Sequence, residues 1–209
     1  MANLSRNQVA PPDLQAVFLD RDGTLNRERA DYVKSWQEYE WLPGALAALV
    51  ALARLGVPIF VVTNQSAVGR GILDVGALAA IHAQACAEAQ AAGGRIDGFW
   101  VCPHAPDEGC ACRKPQPGLL LAAARQHHLE LSRCVFVGDT VTDMQAALAA
   151  GCASILVRTG RQGQQLDALL AGLTAGAGGS TQVVADVSAA ADLIVAGVYD
   201  QRLCGTSVE

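Results

Sequence analysis

Two aspartates, Asp20 and Asp22, stand one residue apart where the short apolar run Ala16-Val17-Phe18-Leu19 ends against Gly23 and Thr24. Four or five apolar residues bounded by turn formers read as a buried strand, of the kind found in parallel sheets covered on both faces. The carboxylates then fall on the loop at the strand's carboxyl end, where open α/β sheets bind their ligands. Two anions converging there repel each other unless a cation joins them or one takes a proton. A hard divalent ion with oxygen ligands, Mg²⁺ first among them, resolves that conflict. Other apolar runs deliver chemistry in the same way. Val57–Val62 leads to Thr63-Asn64-Gln65-Ser66, and Cys134–Val137 leads to Gly138-Asp139, with Asp143 close behind. A basic pair, Arg113-Lys114, follows a third run, Phe99–Val101, and its loop. A nucleophile candidate, an acid/base candidate, a hydroxyl, a lysine and further carboxylates are the inventory of phosphoryl transfer to a carboxylate.

The loop after Val101 carries a second chemistry. Cys102, His104, Cys110 and Cys112 form C-x-H-x₅-C-x-C, four ligands within eleven residues. Three thiolates and one imidazole complete a closed tetrahedral Zn²⁺ site, which is structural because no coordination position stays open. A C-x-C disulfide is geometrically awkward, and such clustering in a chain without a secretory signal reads as metal binding. Cys86, Cys134, Cys152 and Cys204 are scattered and are expected to be reduced thiols. Arg113 and Lys114 follow the last ligand directly, so fixing Cys112 fixes where two positive charges emerge.

The elements that must place these groups alternate. Pro43-Gly44 opens a helix from Ala45 to Leu55 with Gly56 as its stop, and a helix from Val75 to about Ala92 closes at Gly93-Gly94. Gly118–His128 and Thr142–Ala150 read as helices, the latter with Gly151 just past its end, and Ser154–Val157 reads as a strand. The remainder, including Gly176–Ser180, is a weaker helix–loop–strand–helix region. Strands alternating with helices imply βαβ units in a doubly wound sheet. His82 on a helix and His127-His128 at the end of another read as structural.

The 209 residues suit one domain, expected over 16–200, with a polar flexible tail at 1–15 and a short tail at 201–209. No apolar run approaches the ~20 residues of a membrane span, and the opening segment lacks a secretory apolar core, so a soluble cytoplasmic protein is expected. A formal net charge of −5 and the lack of a basic stripe argue against nucleic acid as partner. That balance also disfavours a nucleic-acid 3′-phosphatase. A phospho-aspartate receiver domain has no use for the Cys/His loop, and a zinc-binding module alone leaves the aspartates unexplained.

D-R-D-G-T-L-N at 20–26, V-V-T-N-Q-S at 61–66, C-R-K-P at 112–115 and G-D-T-V-T-D at 138–143 follow the order of four signatures of the haloacid-dehalogenase-type phosphatases, which the chain resembles from Ala16 to Gly160. Three features narrow the resemblance: Asn64-Gln65-Ser66 with Gly69-Arg70-Gly71, the Cys/His loop, and Asp143-Met144-Gln145-Ala146-Ala147 ahead of Val157-Arg158-Thr159-Gly160. They point to a branch acting on small phosphosugars or, in a close relative sharing the metal loop, on histidinol phosphate. The resemblance implies a Rossmann-like three-layer sandwich with a mostly parallel sheet, a zinc loop and no large cap domain, working as a monomer. It implies Asp20 as nucleophile, Asp22 as general acid and base, and Thr63 and Lys114 as holders of the phosphoryl oxygens. It implies Mg²⁺ bound by Asp20, Asp139 and the main-chain carbonyl of Asp22. Asp143 is expected to cap or orient rather than to bind metal. Without a cap, the substrate would be enclosed by the Arg27–Glu40 loop, the 66–72 segment and the zinc loop, with Arg29, Asp31, Tyr32, Asn64, Gln65, Ser66 and Arg113 expected to contact it.

Overall fold

Runs of apolar β-formers separated by alanine-rich helices fold into a six-stranded sheet in the computed structural model, which describes residues 11, 13–160 and 181–199. The strands are β1 (Ala16–Leu19), β2 (Ile59–Asn64), β3 (Gly98–Cys102), β4 (Cys134–Gly138), β5 (Ala153–Val157) and β6 (Gln182–Val184). Their spatial order is β3-β2-β1-β4-β5-β6, and every pairing among them is parallel. β1 lies inside the sheet between β2 and β4, so the order reverses at the strand that carries the aspartates. Open α/β sheets bind ligands at such switch points.

The period of two sorts the strand side chains onto two faces. Val17, Leu19, Ile59, Val61, Val135 and Val137 pack with α1 (Ala45–Ala53) and α6 (Val187–Val195). Phe18, Phe60, Val62 and Phe136 pack on the other side against α4 (Gly118–His127) and α5 (Val141–Ala150). Both faces are therefore covered, which is why the strands read as continuous apolar runs. A third cluster joins α3 (Val75–Ala91) to the loop after β1 through Val33, Tyr39, Leu78, Ile81 and Ala85. The base of that loop is closed by Arg27 N–H donating to the Glu40 carbonyl at 2.8 Å.

Element boundaries differ from the sequence reading where backbone chemistry intervenes. β2 begins at Ile59 rather than Val57, because Pro58 has no N–H for a ladder; its carbonyl still accepts from Val17 N–H at 2.9 Å. A single turn of helix, α2 (Ser66–Gly69), follows β2 where no helix was expected. α5 starts at Val141 because Thr140 caps it. The strand and second helix expected in the weaker C-terminal region are β6 and α6, whereas the preceding helix and Gly176–Ser180 fall outside the described residues. The chain is anchored ahead of β1: Gln15 N–H donates to the Arg133 carbonyl at 2.8 Å and Leu14 is buried. No helix among the described residues is long and apolar enough to cross a membrane.

Leu49 of α1 is fully buried between the sheet and α6. Leu49→Ala is expected to destabilise the fold by about 2–5 kcal/mol in urea denaturation, with kcat/KM of the folded fraction unchanged.

Candidate active site

Because Leu19 of β1 is in register with Val137 of β4, the residues that follow these strands lie side by side. Asp20 N–H continues the ladder, donating to the Val137 carbonyl at 2.8 Å. Asp20, Asp139 and Asp143 are buried, and one carboxylate oxygen of each lies within 4.8 Å of the others. The Oδ1 of Asp139 accepts from Thr24 Oγ1 at 3.3 Å, while its buried Oδ2 has no hydrogen-bond partner among the described residues. Gly23, at φ +89°, and Gly160 both pack onto this carboxylate, and a Cβ at either position would collide with it. Thr159 Oγ1 donates to the Gly23 carbonyl at 2.6 Å, tying the exit of β5 to the aspartate loop.

Lys114 balances part of this negative charge. Its buried Nζ lies 2.7 Å from Asp20 Oδ1 and 2.6 Å from Asp143 Oδ1, and donates to the Val62 carbonyl at 2.9 Å. The main chain of Lys114 is clamped by Asn64, whose Oδ1 accepts from Lys114 N–H at 3.1 Å and whose Nδ2 donates to the Lys114 carbonyl at 3.2 Å. Asp143 spends its other oxygen on a capping box, accepting from Thr140 N–H at 3.0 Å and from Thr140 Oγ1 at 2.6 Å.

Burial governs the titration of these groups. It lifts the Asp20 carboxyl to about 7 against the opposing Lys114 charge, with Asp143 and Asp22 adding to the rise. Burial, then the charges of Asp20 and Asp143, also push Asp139 well above the carboxylate range. Burial pulls Lys114 down, but Asp143 and Asp20 outweigh it and the ammonium is retained. Three carboxylates thus face one ammonium, and the unpartnered Asp139 oxygen points into the same space. This all-oxygen set of three carboxyl groups, which can release protons as a cation binds, fits a hard divalent cation.

Asp22 turns away from that cluster. Its carboxylate receives Arg21 Nη2 at 2.8 Å, Asn26 Nδ2 at 2.9 Å and Gln65 Nε2 at 2.7 Å. Burial raises its proton affinity, yet the Arg21 charge and these three donors hold it below the usual carboxylate range. Gln65 Nε2 also donates to Thr63 Oγ1 at 2.8 Å, which leaves the Thr63 hydroxyl proton free to turn elsewhere.

A cleft of about 350 Å³ opens over these groups, with Asp20, Asp22, Thr63, Lys114 and Asp139 in its wall. Arg29, Tyr32, Asn64, Gln65, Ser66 and Arg113 line it as well. Asp31 is not part of the lining; it is exposed and pairs with Arg29, which lines the cleft, at 3.1 Å and with Lys34 at 2.7 Å. Arg21, Thr140 and Thr142, also in the wall, were not singled out from sequence. The T-x-x-D spacing of a capping box was available for Thr140. No pattern marks Arg21, an arginine between two acids.

Cys102, His104, Cys110 and Cys112 come together as expected. The three sulfurs lie 3.2–3.5 Å apart, and His104 Nδ1 is 3.2 Å from Cys112 Sγ and 3.6 Å from Cys102 Sγ. The thiols are free, and the spacing approaches the ~3.8 Å edge of a tetrahedron built on ~2.3 Å Zn–S bonds. Arg113 Nη1 donates to the His104 carbonyl at 3.3 Å, so the loop also aims that guanidinium at the cleft.

The HAD-hydrolase-like family model matches residues 111–190. A D-glycero-β-D-manno-heptose-1,7-bisphosphate 7-phosphatase from Bordetella bronchiseptica is 39% identical over 182 residues, spanning 87% of this chain and 98% of that protein. The chain belongs to the heptose-bisphosphate phosphatase family. Within this family, a D-glycero-α-D-manno-heptose-1,7-bisphosphate 7-phosphatase from Mycobacterium bovis is 42% identical over 159 residues, covering 73% of this chain and 84% of the relative. The crystal structure of the B. bronchiseptica D,D-heptose 1,7-bisphosphate phosphatase, complexed with magnesium and phosphate, matches with a TM-score of 0.80 at 38% identity, over 88% of this chain and 99% of that one.

The crowding of Gly160 against Asp139 makes a specific demand. Gly160→Ala should displace the Asp139 carboxylate and weaken any divalent-cation affinity of this cluster about tenfold, or ~1.4 kcal/mol, in isothermal titration calorimetry.

Proposed function

We propose that the protein is a Mg²⁺-dependent phosphatase that removes the 7-phosphate of D-glycero-D-manno-heptose 1,7-bisphosphate through an aspartyl-phosphate, giving the heptose 1-phosphate used for nucleotide-activated heptose. The observation that carries this reading is the convergence of Asp20, Asp139 and Lys114 at one end of the sheet, in a family whose relatives bear that activity in their names.

Asp20 attacks phosphorus and the sugar oxygen departs, which divides hydrolysis into two easier steps. Mg²⁺ held by Asp20, Asp139 and the Asp22 carbonyl would, when bound, offset the repulsion between carboxylate and phosphate. Lys114 and the Thr63 hydroxyl take the phosphoryl oxygens as charge spreads over them. Thr63 suits this task because its oxygen already accepts from Gln65, so its proton is available to the substrate. Asp22 protonates the departing sugar oxygen and afterwards takes a proton from the water that attacks the aspartyl-phosphate. It is ionised in the free cleft and must gain a proton to act as acid, which the adjacent phosphate charge favours. General acid–base help of this kind contributes about 10²–10⁴-fold.

Asn64 sets the height of Lys114, Arg29 and Tyr32 wall the cleft on the side of the 27–40 loop, and Arg113 reaches the distal part of the substrate. A structural Zn²⁺ on Cys102, His104, Cys110 and Cys112 holds the backbone from which Arg113 and Lys114 project, sparing the substrate the cost of ordering that loop.

Steady-state phosphate release from both heptose bisphosphate anomers and from histidinol phosphate is the test. A kcat/KM for a heptose bisphosphate at least 100-fold above that for histidinol phosphate, abolished by Asp20→Asn, is expected; preference for histidinol phosphate would overturn the substrate assignment. Zinc loss is a separate check: Cys112→Ala should release the metal, measured by elemental analysis, and lower kcat/KM at least tenfold. Wild-type kcat/KM without zinc would contradict the loop's proposed role.

A further inference from the structure

The reaction uses Asp22, but the structure holds Asp22 through a chain of side chains that reaches far from the cleft. We infer that His82, on α3, is a positioning residue: by accepting a hydrogen bond from Arg21 it fixes the guanidinium that aims the Asp22 carboxylate at the leaving oxygen. This rests on the reading of Asp22 as general acid.

Arg21 is 1% exposed and is among the largest fully buried side chains. Its Nη2 sits 2.8 Å from Asp22 Oδ1 and 2.7 Å from Oδ2, and its Nη1 lies 3.3 Å from His82 Nε2. A guanidinium has no acceptor, so Nε2 must be the acceptor and the ring proton must sit on Nδ1. Burial and the Arg21 charge, which pull the His82 pKa down to about 3, agree with that neutral ring. The ring plane is set independently. His82 is 8% exposed and stacks on Phe99 of β3 with centroids 3.8 Å apart and planes 7° from parallel.

The third guanidinium nitrogen, Arg21 Nε, is buried without a partner among the described residues. Among the described residues the guanidinium is held only through its terminal nitrogens, Nη2 by Asp22 and Nη1 by His82. Without the imidazole acceptor, a second buried N–H loses its partner and the guanidinium keeps only the carboxylate it is supposed to aim. Asn26 and Gln65 would still bind Asp22, but neither fixes Arg21.

The alternative is that His82 merely fills space between α3 and β3, and leaving-group dependence separates the two. A sugar alkoxide needs a proton to depart, whereas p-nitrophenolate hardly does. A misaimed general acid therefore penalises the sugar phosphate selectively, whereas loss of folded enzyme lowers both substrates alike. The relevant constant is kcat/KM, which reports steps up to the first departure and excludes aspartyl-phosphate hydrolysis. The ratio of kcat/KM for heptose bisphosphate to that for p-nitrophenyl phosphate, measured on one Mg²⁺-loaded sample, is independent of the active fraction.

His82→Phe keeps the stacking ring and removes the acceptor. It should lower this ratio by about 10- to 100-fold, part of the range that general acid catalysis spans. His82→Gln, whose amide oxygen reaches near the Nε2 position, should restore the ratio to within about threefold of wild type. An unchanged ratio in His82→Phe, or a ratio that Gln does not restore, overturns the inference. Asp22→Asn serves as the reference. If it lowers the ratio and His82→Phe does not, only the positioning role falls; if it leaves the ratio unchanged, the general-acid reading falls and this inference with it.

Discussion

The ammonium of Lys114 lies between Asp20 and Asp143, with all three side chains withdrawn from water. Burying charges is expensive unless each is paired and hydrogen-bonded, and here one ammonium serves Asp20 and Asp143 while a third carboxyl group, Asp139, stands close by. Removing the ammonium would leave uncompensated carboxylates in a desolvated place. Keeping it still leaves three carboxyl groups to one ammonium at this end of the sheet, which favours either bound protons or a bound cation. A hard divalent cation would fit that set of oxygens, and in the proposed mechanism it would let the same cluster accept a phosphate dianion.

Every larger feature serves that balance. The parallel register of β1 with β4 brings Asp20 beside Asp139, and the pairing of β1 with β2 brings Thr63 to the other flank. The capping box that starts α5 turns Asp143 toward Lys114, so one aspartate both ends an orphan N–H and seats a lysine. Asn64 grips the Lys114 backbone from β2, and the Cys/His loop grips the chain just before it. The lysine is thus held from both sides by elements remote in sequence.

Much of this is legible in the chain because its devices are local. The apolar runs ending in Asp20, Thr63 and Asp139 announce strands whose carboxyl ends must meet in a parallel sheet, and the Cys/His spacing announces that its four side chains gather. What the sequence hides is how side chains divide their bonds. Gln65 and Asn64, expected to face substrate, line the cleft but spend their amides on Asp22, Thr63 and Lys114. Asp31 turns to Arg29 and Lys34, outside the lining. Arg21 looks like a spacer between two acids, yet it is buried and ion-paired, and its partner His82 lies sixty-one residues away. Such contacts depend on packing between α3, β3 and the first loop, which no spacing rule encodes.

In the proposed reaction Asp20 is the group that becomes phosphorylated, and the metal would be shared with Asp139. A crystal structure of the enzyme with Mg²⁺ and beryllium fluoride tests it directly, because beryllium fluoride mimics a phosphoryl group on a carboxylate. The account requires the trifluoroberyllate on Asp20, Mg²⁺ bridging Asp20 and Asp139, and Lys114 Nζ contacting a fluorine. Beryllium on another side chain, or a metal that Asp20 and Asp139 do not share, would contradict it.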